Sequence, residues 1–201
     1  MVTIRRAVLA DAEAISDVMR ASWFAAYSGI IDDDVIDQVT APDDGERVRE
    51  RFRSRPWSRT VVACDEPGNV VGYASFGPER DMFDLAWPPP LTAAGVAGET
   101  AELYALYVHP DAWSAGCGRA LMDLVLVKTA KLGYPEIVLW VLERNNRARR
   151  FYERAGYVRD GAAHDVTSLG NVTELRYRRP VGRLHPPSTG SEACQLRNRA
   201  R

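Results

Sequence analysis

The chain has 201 residues, with 26 Lys and Arg against 27 Asp and Glu and a formal net charge of −1. Hydrophobic residues make up 46% and charged residues 26%, a globular balance that excludes collagen-like, low-complexity and wholly disordered chains. Near-neutral charge offers no general attraction to nucleic acid or to an anionic membrane, so neither is expected as a partner.

A chain of this length can bury roughly 70% of its unfolded surface and needs no staple. Cys64, Cys117 and Cys194 lie far apart, with no C-x-x-C and no His at ligand spacing. Free thiols in a reducing cytoplasm are expected, and no metal site. Residues 1–6, Met-Val-Thr-Ile-Arg-Arg, lack the apolar core and cleavage site of a signal peptide, and no apolar run reaches membrane-spanning length.

Residues 2–6 read as a strand, followed by Asp11 at the start of a helix. Ile15, Val18, Met19, Trp23, Ala26 and Tyr27 recur at helical spacing until Gly29. Asp32, Asp33 and Asp34 suit the positive end of a second helix, and residues 46–55 read as a charged helical stretch. Residues 60–64 and 70–76 are apolar runs separated by Asp-Glu-Pro-Gly-Asn, a hairpin signal. Periodicity is lost over residues 77–100, a Pro-rich loop around Trp87 that reads either as an acceptor-side lid or as an insertion. Residues 101–108 form the next strand and residues 118–132 a deeply packed helix. Residues 137–142 are almost purely apolar, as in a strand covered on both faces. Ala148, Phe151, Tyr152 and Ala155 mark a helix stopped by Gly156, and residues 157–159 and 172–178 read as closing strands. One domain over residues 1–179 is expected, with residues 180–201 a disordered basic tail.

The chemistry concentrates where strand 101–108 runs through His109-Pro110 into Trp113-Ser114-Ala115-Gly116-Cys117-Gly118-Arg119-Ala120. Gly116 and Gly118 let backbone approach a ligand closely, and they stand where successive amides open a helix. That arrangement binds phosphate or pyrophosphate, with Arg119 adding charge beside it. No Lys follows Gly118 as a P-loop needs, and Leu121 stands where the dinucleotide fingerprint needs Gly or Ala. Taken alone the turn is equally readable as structural. Cys117 opens the helix, which favours a thiolate, but no His–Asp pair activates it.

A second motif follows about 30 residues on: Leu139-Trp140-Val141-Leu142 leads to Asn145-Asn146-Arg147-Ala148-Arg149-Arg150-Phe151-Tyr152 and Ala155-Gly156-Tyr157. Together with Leu106-Tyr107-Val108-His109-Pro110 and the glycine turn, this resembles the GNAT superfamily of acetyl-CoA-dependent N-acetyltransferases. The resemblance implies an α/β fold, with a mixed, splayed central sheet of six to seven strands flanked by helices on both faces. It implies acetyl-CoA as cosubstrate, resting on Ala115, Gly116, Cys117, Gly118, Arg119 and Ala120, with Tyr107, Val108, Asn145 and Phe151 also at the cofactor. Trp113 departs from the Gln or Arg of the family pattern.

Transfer to an amine needs a neutral nitrogen, so a base near the acceptor is useful. Strand alternation would put Glu102, Tyr104, Leu106 and Val108 on one face, with Glu102 about 20 Å from Val108 at roughly 3.3 Å per residue. The resemblance assigns Glu102 as that base and Tyr152 as the acid that protonates the leaving thiolate. A backbone N–H near Val108 would meet the oxyanion. Asn145 reads either as a helix cap or as a cofactor contact. Trp23 and Tyr27 read either as acceptor-binding or as helix packing. The expected reaction is acetyl transfer to a primary amine, with a small molecule favoured over a protein. A non-catalytic acyl-CoA sensor and a nucleotide-binding enzyme are the alternatives, and the family admits a homodimer.

Overall fold

The computed structural model describes residues 2–80 and 100–182. Seven strands form one sheet: β1 (Thr3–Arg6), β2 (Arg59–Cys64), β3 (Val70–Pro78), β4 (Thr100–Val108), β5 (Glu136–Leu142), β6 (Val158–Val166) and β7 (Val172–Pro180). Their order is β1-β2-β3-β4-β5-β7-β6, and every neighbouring pair is antiparallel except β4 with β5. That pair is parallel because a helical crossover joins its strands. The helices are α1 (Ala12–Tyr27), α2 (Asp33–Val39), α3 (Glu46–Ser54), α4 (Cys117–Lys131) and α5 (Asn146–Arg154).

Helices cover both faces. On one, Leu121, Met122 and Val125 of α4 are fully buried against Ala74, Ala101, Leu103, Ile137 and Leu139. On the other, Ala12, Ile15 and Val18 of α1 and Val48 of α3 pack on Val62, Cys64 and Tyr73. Covered twice, β2 and β5 need apolar residues at successive positions, which is why they read as runs rather than alternations.

Two departures from the expected elements have physical causes. Strand β6 runs nine residues rather than three. It is an edge strand of polar and small residues, with Gly161 at φ +95° and a slip in register between Arg159 and Ala163, so no alternation marks it. Strand β7 continues through Pro180 rather than ending at residue 178, and buried Val181 extends the pairing by donating its amide to the Pro135 carbonyl at 2.8 Å. The rest of the tail, and residues 81–99 of the loop around Trp87, lie outside the described residues.

Candidate active site

The site begins where the parallel pairing ends. Strands β4 and β5 are in register from Thr100 opposite Glu136 to Leu103 opposite Leu139, and no further. Beyond that point they diverge, and a cavity of about 760 Å³ opens between Leu103–Val108 on one wall and Trp140, Val141 and Leu142 on the other. The His109 amide bonds to Val71 of β3 at 2.8 Å. Since ladder bonds alternate, the Val108 amide points the opposite way, into the gap.

A bulge in β4 re-aims its side chains. Ser75 of β3 pairs with Ala105, but Phe76 pairs with Leu103, so Tyr104 is an extra residue. Leu103, Leu106 and Val108 consequently belong to the α4 face, while Ala105 and Tyr107 belong to the α1 face. Glu102 therefore does not share a face with Leu106 and Val108, as simple alternation had it. Its side chain is 1% exposed, does not line the cavity, and is held by Arg80. The Arg80 amide donates to Oε2 at 2.9 Å and its Nε to Oε1 at 3.0 Å, and Nη2 also donates to Oε1. Arg80 itself lines the cavity, 5.1 Å from the centre of the Tyr104 ring.

At the other end, Gly116 at φ +84° turns the chain into α4. The first helical bond is donated by Ala120 to the Gly116 carbonyl at 3.0 Å. The amides of Cys117, Gly118 and Arg119 stand in front of it, as the leading amides of any helix do. Gly116, Gly118 and Arg119 line the cavity. A Cβ on Gly118 would lie 3.5 Å from the Phe151 ring, in the same space. Helix-dipole amides beside a side-chain-free surface fit a pyrophosphate. Ala115, Cys117 and Ala120 contribute backbone to this turn, not cavity-lining side chains, and the Cys117 thiol is 2% exposed in the core.

Helix α5 supplies the facing wall. Asn145 caps it, its Oδ1 accepting the Ala148 amide at 3.0 Å, and it lines the cavity as well. The cap reading of Asn145 describes this hydrogen bond. Phe151 and Tyr152 line the cavity, with the Tyr152 ring edge-on to Phe151 at 5.3 Å and to Tyr157 at 5.9 Å. Burial, and then the neighbouring Tyr107 and Tyr157, keep the Tyr152 phenol protonated well above the ordinary tyrosine value. The cavity brings Tyr107, Val108 and Tyr27 together with these groups, but not Trp23, which packs edge-on to Tyr27 at 5.0 Å.

Several lining residues had no sequence signal of their own. Arg147 and Arg154 of α5 stand four residues before and three after Phe151, on its helix face, and Arg150 lines the cavity beside them. Arg147 lies over the ring of Trp113, whose Nε1 donates to the Val108 carbonyl at 2.7 Å. Ser22 of α1 donates to that carbonyl too, at 2.8 Å. Glu174 of β7 lines the cavity opposite, beside Trp140.

A cleft between diverging parallel strands, fronted by a glycine-shaped helix start, is matched by sequence: residues 19–157 fit the model of the acetyltransferase (GNAT) family. The chain belongs to the GNAT acetyltransferases. It is similar to the uncharacterized N-acetyltransferase YuaI of Bacillus subtilis strain 168, with 32% identity over 145 residues, covering 72% of this chain and 74% of YuaI. Among solved structures, it is similar to a GCN5-related N-acetyltransferase from Kribbella flavida, at 26% identity and a TM-score of 0.62, covering 89% of this chain and 97% of that one. The fold also matches the PaiA N-acetyltransferase of Thermoplasma acidophilum in complex with coenzyme A, at 20% identity and a TM-score of 0.65, over 88% of this chain and 98% of that one. Among the described residues of this GNAT enzyme, no cluster of His, Cys, Asp and Glu could hold a metal, and no helix is long and apolar enough to cross a membrane.

Proposed function

We propose that this GNAT enzyme transfers the acetyl group of acetyl-CoA directly to a primary amine bound in the same cleft. One observation carries the reading: the helix-start cradle, the inward Val108 amide and Tyr152 all face a single cavity of about 760 Å³. The amides of residues 117–119, with Arg119 and Arg147 beside them, hold the pyrophosphate. The Val108 amide stabilises negative charge growing on the thioester oxygen. Tyr152, kept protonated by burial, gives its proton to the departing sulfur. Glu102 is a positioning residue that holds Arg80 at the cavity wall, because its own oxygens are engaged there.

The test is release of CoA thiol from acetyl-CoA with a panel of primary amines, alongside calorimetric binding of acetyl-CoA. Turnover that falls at least tenfold in Tyr152→Phe, with binding retained, supports the reading. Binding without turnover on any amine would favour an acyl-CoA sensor, and absence of binding would remove the reading altogether.

A further inference from the structure

The cavity is electrically lopsided. Arg119, Arg147, Arg150 and Arg154 line it on the α4 and α5 side, and among its described lining residues Glu174 is the one carboxylate. Glu174 stands on β7 opposite Leu142 of β5 and His164 of β6, and because Leu175 beside it packs with α4, Glu174 takes the other face of the sheet. Its side chain is 25% exposed, so it is partly desolvated yet open to the cavity.

The groups around it do not neutralise it. Oε2 of Glu174 lies 3.4 Å from Nε2 of His164, but burial lowers the His164 pKa, so that imidazole is uncharged at neutral pH. The Arg80 guanidinium, within electrostatic reach, is engaged by Glu102. No other described cation lies within ion-pair distance of Glu174. Burial, which outweighs Arg80 here, raises the Glu174 carboxyl above the ordinary glutamate value and makes it a better proton acceptor. The surroundings are aromatic: Trp140 stands edge-on to His164 at 4.4 Å, and Tyr104 and Tyr27 line the same space. The Tyr27 hydroxyl lies 3.5 Å from the Tyr107 hydroxyl, and both residues line the cavity together with Tyr152 and Glu174.

We propose that Glu174 is the acceptor residue of the cleft, binding the ammonium of a primary amine carried on an aromatic or apolar arm and taking the proton that the amine must lose. The proposal rests on the reading of the cleft as an amine acetyltransferase site. The steps balance as follows. Glu174 accepts one proton from the ammonium, freeing the nitrogen lone pair. The nitrogen bonds to the thioester carbonyl carbon, the C–S bond breaks, and Tyr152 protonates the sulfur. The acylated nitrogen then returns its surplus proton to Tyr152, and Glu174 releases its own to solvent. The sum is one amide, one free thiol and one proton. A carboxylate facing a desolvated ammonium also selects against alcohols and against amines that bear a carboxylate of their own.

The test uses the full chain with acetyl-CoA and four probes: 2-phenylethylamine, 1,4-diaminobutane, 2-phenylethanol and phenylalanine. Expected is turnover of 2-phenylethylamine above the other three, a loss of at least a hundredfold in kcat/KM in Glu174→Gln, partial recovery in Glu174→Asp, and an acetyl-CoA Kd within twofold of wild type in both variants. A Glu174→Gln enzyme within threefold of wild type overturns the proposal. So does a wild type that prefers phenylalanine, or that binds acetyl-CoA yet turns over neither 2-phenylethylamine nor 1,4-diaminobutane. If acetyl-CoA itself does not bind, the wider reading fails instead, and with it this one.

Discussion

The Arg147 guanidinium carbon lies 3.7 Å from the centre of the Trp113 ring, so the first turn of α5 is clamped to the turn that opens α4. Trp113 holds the other end by donating to the Val108 carbonyl. The residue that departs from the family pattern thus holds a neighbouring cation by stacking instead of supplying a charge of its own. Such contacts contribute about 0.5–2 kcal/mol, depending on exposure.

Arg147→Ala is expected to weaken acetyl-CoA binding roughly tenfold, about 1.4 kcal/mol, and Trp113→Ala to weaken it similarly by releasing Arg147. The double variant should be no worse than the poorer single one. Calorimetric titration of all three checks this, and additive losses would count against a shared role.

Tyr152→Phe keeps the ring contacts with Phe151 and Tyr157 and removes only the hydroxyl. Its melting temperature should match wild type within a few degrees while kcat falls at least tenfold, a loss of about 1.4 kcal/mol or more in transition-state stabilisation. Steady-state kinetics on any accepted amine decides it.

The two glycines of the cradle should fail differently. Gly116 sits at φ +84° with open space around it, so Gly116→Ala is strained without clashing and should cost stability of about 1 kcal/mol. Gly118 has no such φ, and an added Cβ meets Phe151 at ordinary contact distance. Gly118→Val should therefore melt near wild type yet bind acetyl-CoA poorly, because the new side chain takes up cavity. Thermal unfolding and titration of both variants separate the two effects.

Asp11 offers a pH signature outside the cleft. Its carboxylate accepts from Arg5 Nη1 and Nη2, both at 2.7 Å, and from the Val8 amide at 2.8 Å. The Arg5 bonds, then the Val8 amide, outweigh burial and hold its pKa below the usual aspartate value. A group depressed in the folded state adds stability above its unfolded pKa of about 3.9 and loses it as pH falls through the lower folded value. Asp11→Asn should cost roughly 2 kcal/mol at pH 7, and urea unfolding should show that deficit shrinking steadily below about pH 4.

Where burial is two-sided, the sequence was plain. The runs at Val61–Cys64 and Ile137–Leu142 and the helical stripe of Leu121, Val125 and their neighbours announced the centre of the sheet and α4, because apolar content there answers to one demand. The glycine turn and the motif ending at Tyr152 located the cleft for the same reason: each is a local, contiguous pattern. What stayed illegible depends on position across strands. The bulge at Tyr104 leaves no mark in composition, yet it decides which way Glu102 points. Strand β6 hid behind polar residues whose partners are remote. Asp160, for instance, meets Arg176 at 2.7 Å and Arg178 at 3.1 Å from the neighbouring strand. Glu174 is one more charged residue in a charged strand until Trp140 and His164 are placed around it.

The short register between β4 and β5 has a mechanical consequence. Four residue pairs are all the parallel ladder that joins the β1–β4 half of the sheet, with α1 and α3, to the β5–β7 half, with α5. The lower parts of the two strands act as a seam and the upper parts as two free rims, each with backbone groups aimed at the other. Any molecule long enough to lie along the cleft bridges those rims, so binding and cohesion of the two halves are one event. Helix α4 packs on both halves at the closed side, so a bound substrate adds a second clasp at the open end of the seam.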